Sequence, residues 1–250
     1  MACTTCDTKD DAKRRADAAG CESGAEGATV TSCAERAAEA RGFAVAFDAL
    51  AAAFLNEPSE QVLGDVRRVA QALGDTSLDE LAAEGCCAGE AGAALRQRYY
   101  DRVIVASSPV HVPLLENCVA GSAVDEKGVA HYNAVQGSRG DHVLRCYRAL
   151  GFDFKALPGY HLLVQTLHCD YIGCELAFLA FMKNGEAQAW EAGDEQAGAH
   201  WHELALRFAR DHAAAWMPTA AKRLAAGDDD VYARLADLAG RVAKTLTEEK

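Results

Sequence analysis

From position 32 onward, apolar residues recur at the three- and four-residue spacing of amphipathic helices rather than in strand-like alternation. Ser32 and Glu35 form a Ser-x-x-Glu capping box, in which each side chain satisfies an amide left over by a first helical turn. Ala37, Ala40, Ala44, Phe47, Ala51, Phe54 and Leu55 then supply one stripe, and Asn56-Glu57-Pro58-Ser59 ends this helix and caps the next. Leu63, Val66, Ala70 and Leu73 carry the second helix, with Gly74 placed as a left-handed C-cap. Ser77 with Glu80 predicts a short third helix stopping at Gly85. A fourth, over residues 92–105, runs into Ser107-Ser108-Pro109-Val110-His111-Val112-Pro113, which is too proline-bounded to be helical. Residues 114–118 predict another short helix, and residues 119–140, with scattered glycines and charges, a long loop. Helical spacing returns over 141–150, 160–168, 171–191, 197–226 (with a kink or break at Pro218) and 229–247. There is no internal repeat and no convincing run of strands, whereas residues 1–31 are small, polar and aperiodic and read as a flexible Cys-containing tail.

Composition agrees. Half the residues are hydrophobic, Pro is limited to 5 and aromatics to 7%, which favours an all-α fold over β-branched, aromatic strands. We expect a single globular multi-helix domain over residues 32–250. The charge balance, 25 Lys+Arg against 37 Asp+Glu, gives −12, which repels phosphate backbones and anionic lipid and favours a cationic partner. Nucleic-acid binding and stable membrane insertion are therefore not expected, and the nearly uncharged runs 43–55 and 171–182 are too short to span a bilayer. Lys13-Arg14-Arg15 invites comparison with an export signal, but no apolar segment follows it. Of the ten Cys, Cys146, Cys169 and Cys174 fall in helix-like apolar stretches, where free thiols act as small hydrophobes. A reduced, cytoplasmic location is the expectation.

The candidate chemistry is sparse. Glu175 is the sole charge in a stretch that is apolar on every side, so it needs either a fixed internal partner such as Arg145 or Arg207, or a ligand's cation. Asp170 is placed to cap the helix it precedes by accepting from Ile172 or Gly173, with His168, Cys169 and Tyr171 around the same break. Phe208, His212 and Trp216 lie at i, i+4 and i+8 on one predicted face, where a histidine is either a satisfied core residue or a ligand. Cys3-Thr-Thr-Cys6, followed by Cys21 and Cys33, gives half of a zinc signature, so metal or iron–sulfur binding by these thiolates is the alternative function. No nucleotide loop, nucleophile elbow or metalloprotease motif is present, and no enzyme activity or cofactor is expected.

Several stretches together resemble the TorD/DmsD/NarJ family of cytoplasmic chaperones for molybdenum redox enzymes. His168-Cys169-Asp170-Tyr171-Ile172-Gly173-Cys174-Glu175-Leu176-Ala177-Phe178-Leu179 is similar to the family's Pro-Asp-His-Ile followed by Glu-Leu-x-Phe-Met. Phe208 to Pro218, through His212 and Trp216, is similar to its late Phe-x-x-x-His-x-x-x-Trp-x-Pro segment. Leu50 through Phe54 to Pro58, and Pro113 through Glu116 to Asn117, resemble two further segments. Cys169 and Tyr171 stand where the family's Pro-Asp-His has proline and histidine, so of that trio only Asp170 is kept, and Asn117 stands where the family has serine.

The resemblance implies an all-helical TorD-like chaperone that binds the twin-arginine signal peptide of the apo form of a molybdenum oxidoreductase and delays export until the cofactor is inserted. It implies Asp170, Glu175 and Glu116 as carboxylates for the Arg pair and Tyr171, Phe178, Trp216 and His212 as walls, with His168 also among the signal-peptide-binding residues. Exchange of elements between copies, hinged at residues 119–140, would give a homodimer.

Overall fold

A computed structural model of the chain describes residues 32–80 and 83–248. Its centre is a pair of long helices, α1 (Cys33–Leu55) and α7 (Ile172–Glu191). The capping box forms as predicted: Ser32 Oγ accepts from the Glu35 amide at 3.2 Å, and the Glu35 carboxylate accepts from the Ser32 amide at 2.7 Å. Every residue from Ile172 to Ala180 is buried, as expected for a stretch apolar on all sides. Around this pair lie α2 (Glu60–Ala72) on α1, α8 (Glu195–Asp211) on α7, then α9 (Ala213–Gly227) and α10 (Val231–Glu248), which packs on α9 and returns to α1. The remaining helices are α3 (Gly89–Tyr99), α4 (Glu116–Val119), α5 (Ser138–Leu150) and α6 (His161–Gln165). The described residues are all-α apart from a hairpin of two two-residue strands, β1 (Ala123–Val124) with β2 (Ala130–His131). No helix among the described residues is long and apolar enough to cross a membrane.

Several expectations are corrected. The Ser77–Glu80 segment is a series of turns, because the Asp75 carboxylate takes the Ser77 amide at 2.7 Å and only Leu78 reaches the core. The segment 119–140 is shorter as a loop than expected, since the hairpin occupies its middle and α5 begins at Ser138. The fourth helix starts earlier and ends in a π-helical turn, Tyr100–Ile104, that delivers Arg102 into the interior. The long helix breaks at His212 (φ −122°, ψ −93°) and not at Pro218, which lies inside α9. Gly240 of α10 lets the proline ring lie close: a Cβ there would sit 3.2 Å from Pro218 Cδ. Cys169 lies in the turn before α7, its thiol donating to Gly140 O at 3.3 Å. The predicted tail with Cys3, Cys6 and Cys21 lies outside the described residues, while Cys33 opens α1 with its thiol 3.8 Å from Glu195 Oε1.

Candidate functional site

The proline-bounded stretch at 112–115 runs extended and pairs with the entry to α7 through an antiparallel bridge between Leu115 and Tyr171. Ile172 donates its amide to Leu114 O at 3.0 Å, and Glu116 donates to Asp170 O at 2.9 Å. With the Ile172 amide already satisfied, the Asp170 carboxylate does not cap α7. It caps α4 instead, accepting from the Asn117 amide at 3.0 Å. The first turn of α5 lies over this corner. Gly137 permits it, since a Cβ there would fall 2.2 Å from Asn117 Oδ1, and Asn117 Nδ2 donates to Ala134 O at 2.6 Å.

Four parts of the chain, α4, α5, α7 and the α8–α9 break, then bring charge together in the interior. Glu116, fully buried, accepts from Arg139 Nη1 at 2.9 Å on one oxygen and from His212 Nδ1 at 2.6 Å on the other. His212 Nε2 lies 2.7 Å from Nδ1 of His142, an exposed residue of α5, so a hydrogen-bonded chain runs from solvent to the buried carboxylate. Burial resists charge on His212, but the Cys146 side chain and the Glu116 and Glu175 carboxylates outweigh it and push its pKa up to about 10. Glu175 accepts from Trp216 Nε1 at 2.8 Å, and its other oxygen is buried without a hydrogen bond. Burial, reinforced by the charge of Glu116, holds the Glu175 carboxyl well above the usual range against the opposing pull of His212 and Trp216. Burial likewise raises Asp170, against the Asn117 amide.

The structure thus gathers Glu116, Asp170, Glu175, His212 and Trp216 at one corner, and Phe208 joins them with its ring 4.6 Å from that of His212. They meet across a helix break rather than on the single face predicted. Neither Arg145 nor Arg207 is the partner of Glu175; the indole N–H of Trp216 is. The expected walls are closed. Trp216 is fully buried, Tyr171 donates its hydroxyl to Phe54 O at 2.7 Å, and Phe178 lies within a cluster of Tyr147, Phe152 and Phe208 rings. His168 is exposed and acts on Asp170 only through its charge. Two groupings at this corner have ligand atoms within 4.8 Å of one another: Glu116, Glu175 and His212, all buried, and His142, Cys146 and His212, which reaches the surface. Arg139, His142 and Cys146 are additions to the expected set. A histidine and a cysteine four apart on α5 were the signal for the last two.

A separate concavity of about 1020 Å³ runs along α1 between α2 and α10. Val45, Ala46, Ala49, Ala52 and Leu73 line it, with Val45 65% and Leu73 42% exposed. Asp48 also lines it, exposed to solvent as a residue; desolvation by the surrounding apolar surface raises its carboxyl, and among the described residues no hydrogen bond or ion pair engages it. The signal was again present in the sequence, since α1 carries apolar residues on the side opposite its buried stripe. Comparison of the chain with protein-family profiles, with curated proteins and with solved structures finds no match.

Proposed function

We propose that this chain is a cytoplasmic chaperone without enzymatic activity, which binds the twin-arginine signal peptide of a molybdenum oxidoreductase subunit and withholds it from export until the cofactor is in place. The observation that carries the reading is an open apolar trough holding an unengaged carboxylate, Asp48. A signal peptide offers a guanidinium pair followed by an apolar helix, and helix-in-groove binding uses that combination. The trough suits the task better than the corner around Glu116, whose carboxylates already accept from Arg139, His212, Trp216 and Asn117. Covering Val45 and Leu73 would contribute about 1.5–3 kcal/mol for each side chain fully buried.

Calorimetry with a synthetic signal peptide tests this. The peptide should bind, changing its Arg pair to Gln should weaken it about tenfold or more, and D48N and V45D should each do the same. Binding indifferent to the Arg pair, or to both trough substitutions, refutes the assignment.

A further inference from the structure

We propose that His142, Cys146 and His212 form a binding site for a zinc-class divalent metal ion. This inference is independent of the chaperone reading. His142 and Cys146 stand one helical turn apart on α5, and His212 enters from the α8–α9 break, so two elements converge on one point. The two imidazoles face each other nitrogen to nitrogen. Their ring planes are 20° from parallel with centroids 4.9 Å apart, and His142 Nδ1 is 2.7 Å from His212 Nε2. A tetrahedral ion at about 2.0–2.1 Å from each nitrogen needs them roughly 3.3 Å apart. The required opening is about 0.6 Å, together with a turn of the His142 ring that brings its lone pair to the ion beside that of His212, and exposed His142 can supply both without disturbing the core.

The surroundings are those of a ligating histidine. Glu116 holds the far nitrogen of His212 at 2.6 Å and is itself held by Arg139 at 2.9 Å. This fixes the ring and leaves Nε2 as the donor atom, the arrangement by which a carboxylate orients a metal-bound imidazole. Two nitrogens and one sulfur suit zinc and its borderline neighbours and do not suit Mg²⁺ or Ca²⁺, which take oxygen. Three protein donors leave a fourth position for water or an incoming side chain. On binding, the Cys146 thiol proton and the proton between the rings pass to solvent, leaving a thiolate and two neutral imidazole donors. The all-buried grouping of Glu116, Glu175 and His212 offers an ion no comparable access.

The test is titration of the full chain with Co²⁺, followed by absorption, and displacement by Zn²⁺. One Co²⁺ per chain with a thiolate-to-cobalt charge-transfer band is expected at this site. C146S should abolish that band, and H142A, at an exposed position, should weaken binding with the helical circular dichroism unchanged. E116Q, which alters a positioning residue, should keep the band and lower affinity about 10- to 100-fold. The quadruple variant C3S/C6S/C21S/C33S should keep both band and affinity, which separates this site from the N-terminal thiols. A band that survives in C146S, that disappears in the quadruple variant, or that never forms overturns the proposal.

Discussion

Removing one member of the buried ion pair on α7 should be far more damaging than removing both. Lys183 is fully buried and Glu186 is 4% exposed, with Lys183 Nζ 2.6 Å from Glu186 Oε2. His202 of α8 engages the other oxygen of Glu186 at 3.0 Å, and the ammonium lies 5.2 Å from the Phe43 ring centroid on α1. K183M leaves a carboxylate out of water with only a half-exposed histidine for company, and E186Q leaves a buried ammonium with a neutral amide and an aromatic face in place of its counter-charge. Either should cost about 3–5 kcal/mol, whereas K183M/E186L, with apolar groups of similar volume, should be neutral or more stable than the parent by about 1–4 kcal/mol. For a domain of this size the single losses amount to a fall in Tm of about 6–20 °C.

Acid provides a second readout. Although burial alone would raise it, His202 and Lys183 together hold the Glu186 carboxyl below its unfolded value of 4.5. A depressed carboxyl contributes stability that is present above the unfolded pKa and is lost as pH falls through the native one. The parent should therefore lose stability on acidification more steeply than E186Q. Urea denaturation of the three variants across pH is the measurement. Single losses below about 1 kcal/mol, or a double variant as unstable as the sum of the singles, would refute the reasoning.

Arg102 offers another stringent case. It is wholly buried and donates to Asp230 Oδ2 at 2.8 Å, Val110 O at 2.9 Å and Asp228 O at 2.7 Å, tying the end of α9 and the start of α10 to the 105–113 segment. R102M should cost about 3–5 kcal/mol in urea denaturation, and R102K should recover only part of it, because one ammonium lacks the guanidinium's fork; equal stability of R102M and parent would exclude the clamp. At the α9–α10 contact, G240V should cost about 1–3 kcal/mol by overpacking against Pro218, seen as a lower denaturation midpoint, and an unchanged midpoint would show that the helices separate freely.

How far the sequence reached depended on whether a contact was local. The Ser32–Glu35 box spans four residues, and both of its hydrogen bonds form as read. The uniformly apolar start of α7 announced its burial for the same reason. Asp170, which its position in the sequence marks as the cap of α7, caps α4 instead, because the amide of Ile172 is satisfied by Leu114 O from a segment distant in sequence. Nothing within a window of ten residues carries that information. Pro218 misled in the opposite direction: the missing amide is tolerated inside α9 where Gly240 makes room, and the break goes to His212, whose ring is thereby turned onto Glu116. Glu116, Asp170, Glu175, His212 and Trp216 were each legible as candidates. Their mutual engagement was not, since it depends on tertiary pairing.

The pairing of α1 with α7 also governs when the chain can begin to fold during synthesis. The hydroxyl of Tyr171 meets Phe54 O across 117 residues, and Arg41 reaches Glu191 across 150. At 5–20 residues per second, roughly 7–27 s separate completion of Leu55 from that of Glu191. Throughout that interval α1 has neither its partner helix nor cover for Val45, Ala49 and Ala52 on its other side. The segment most exposed to misassociation at the ribosome is thus α1, and its rescue depends on residues translated more than a hundred codons later.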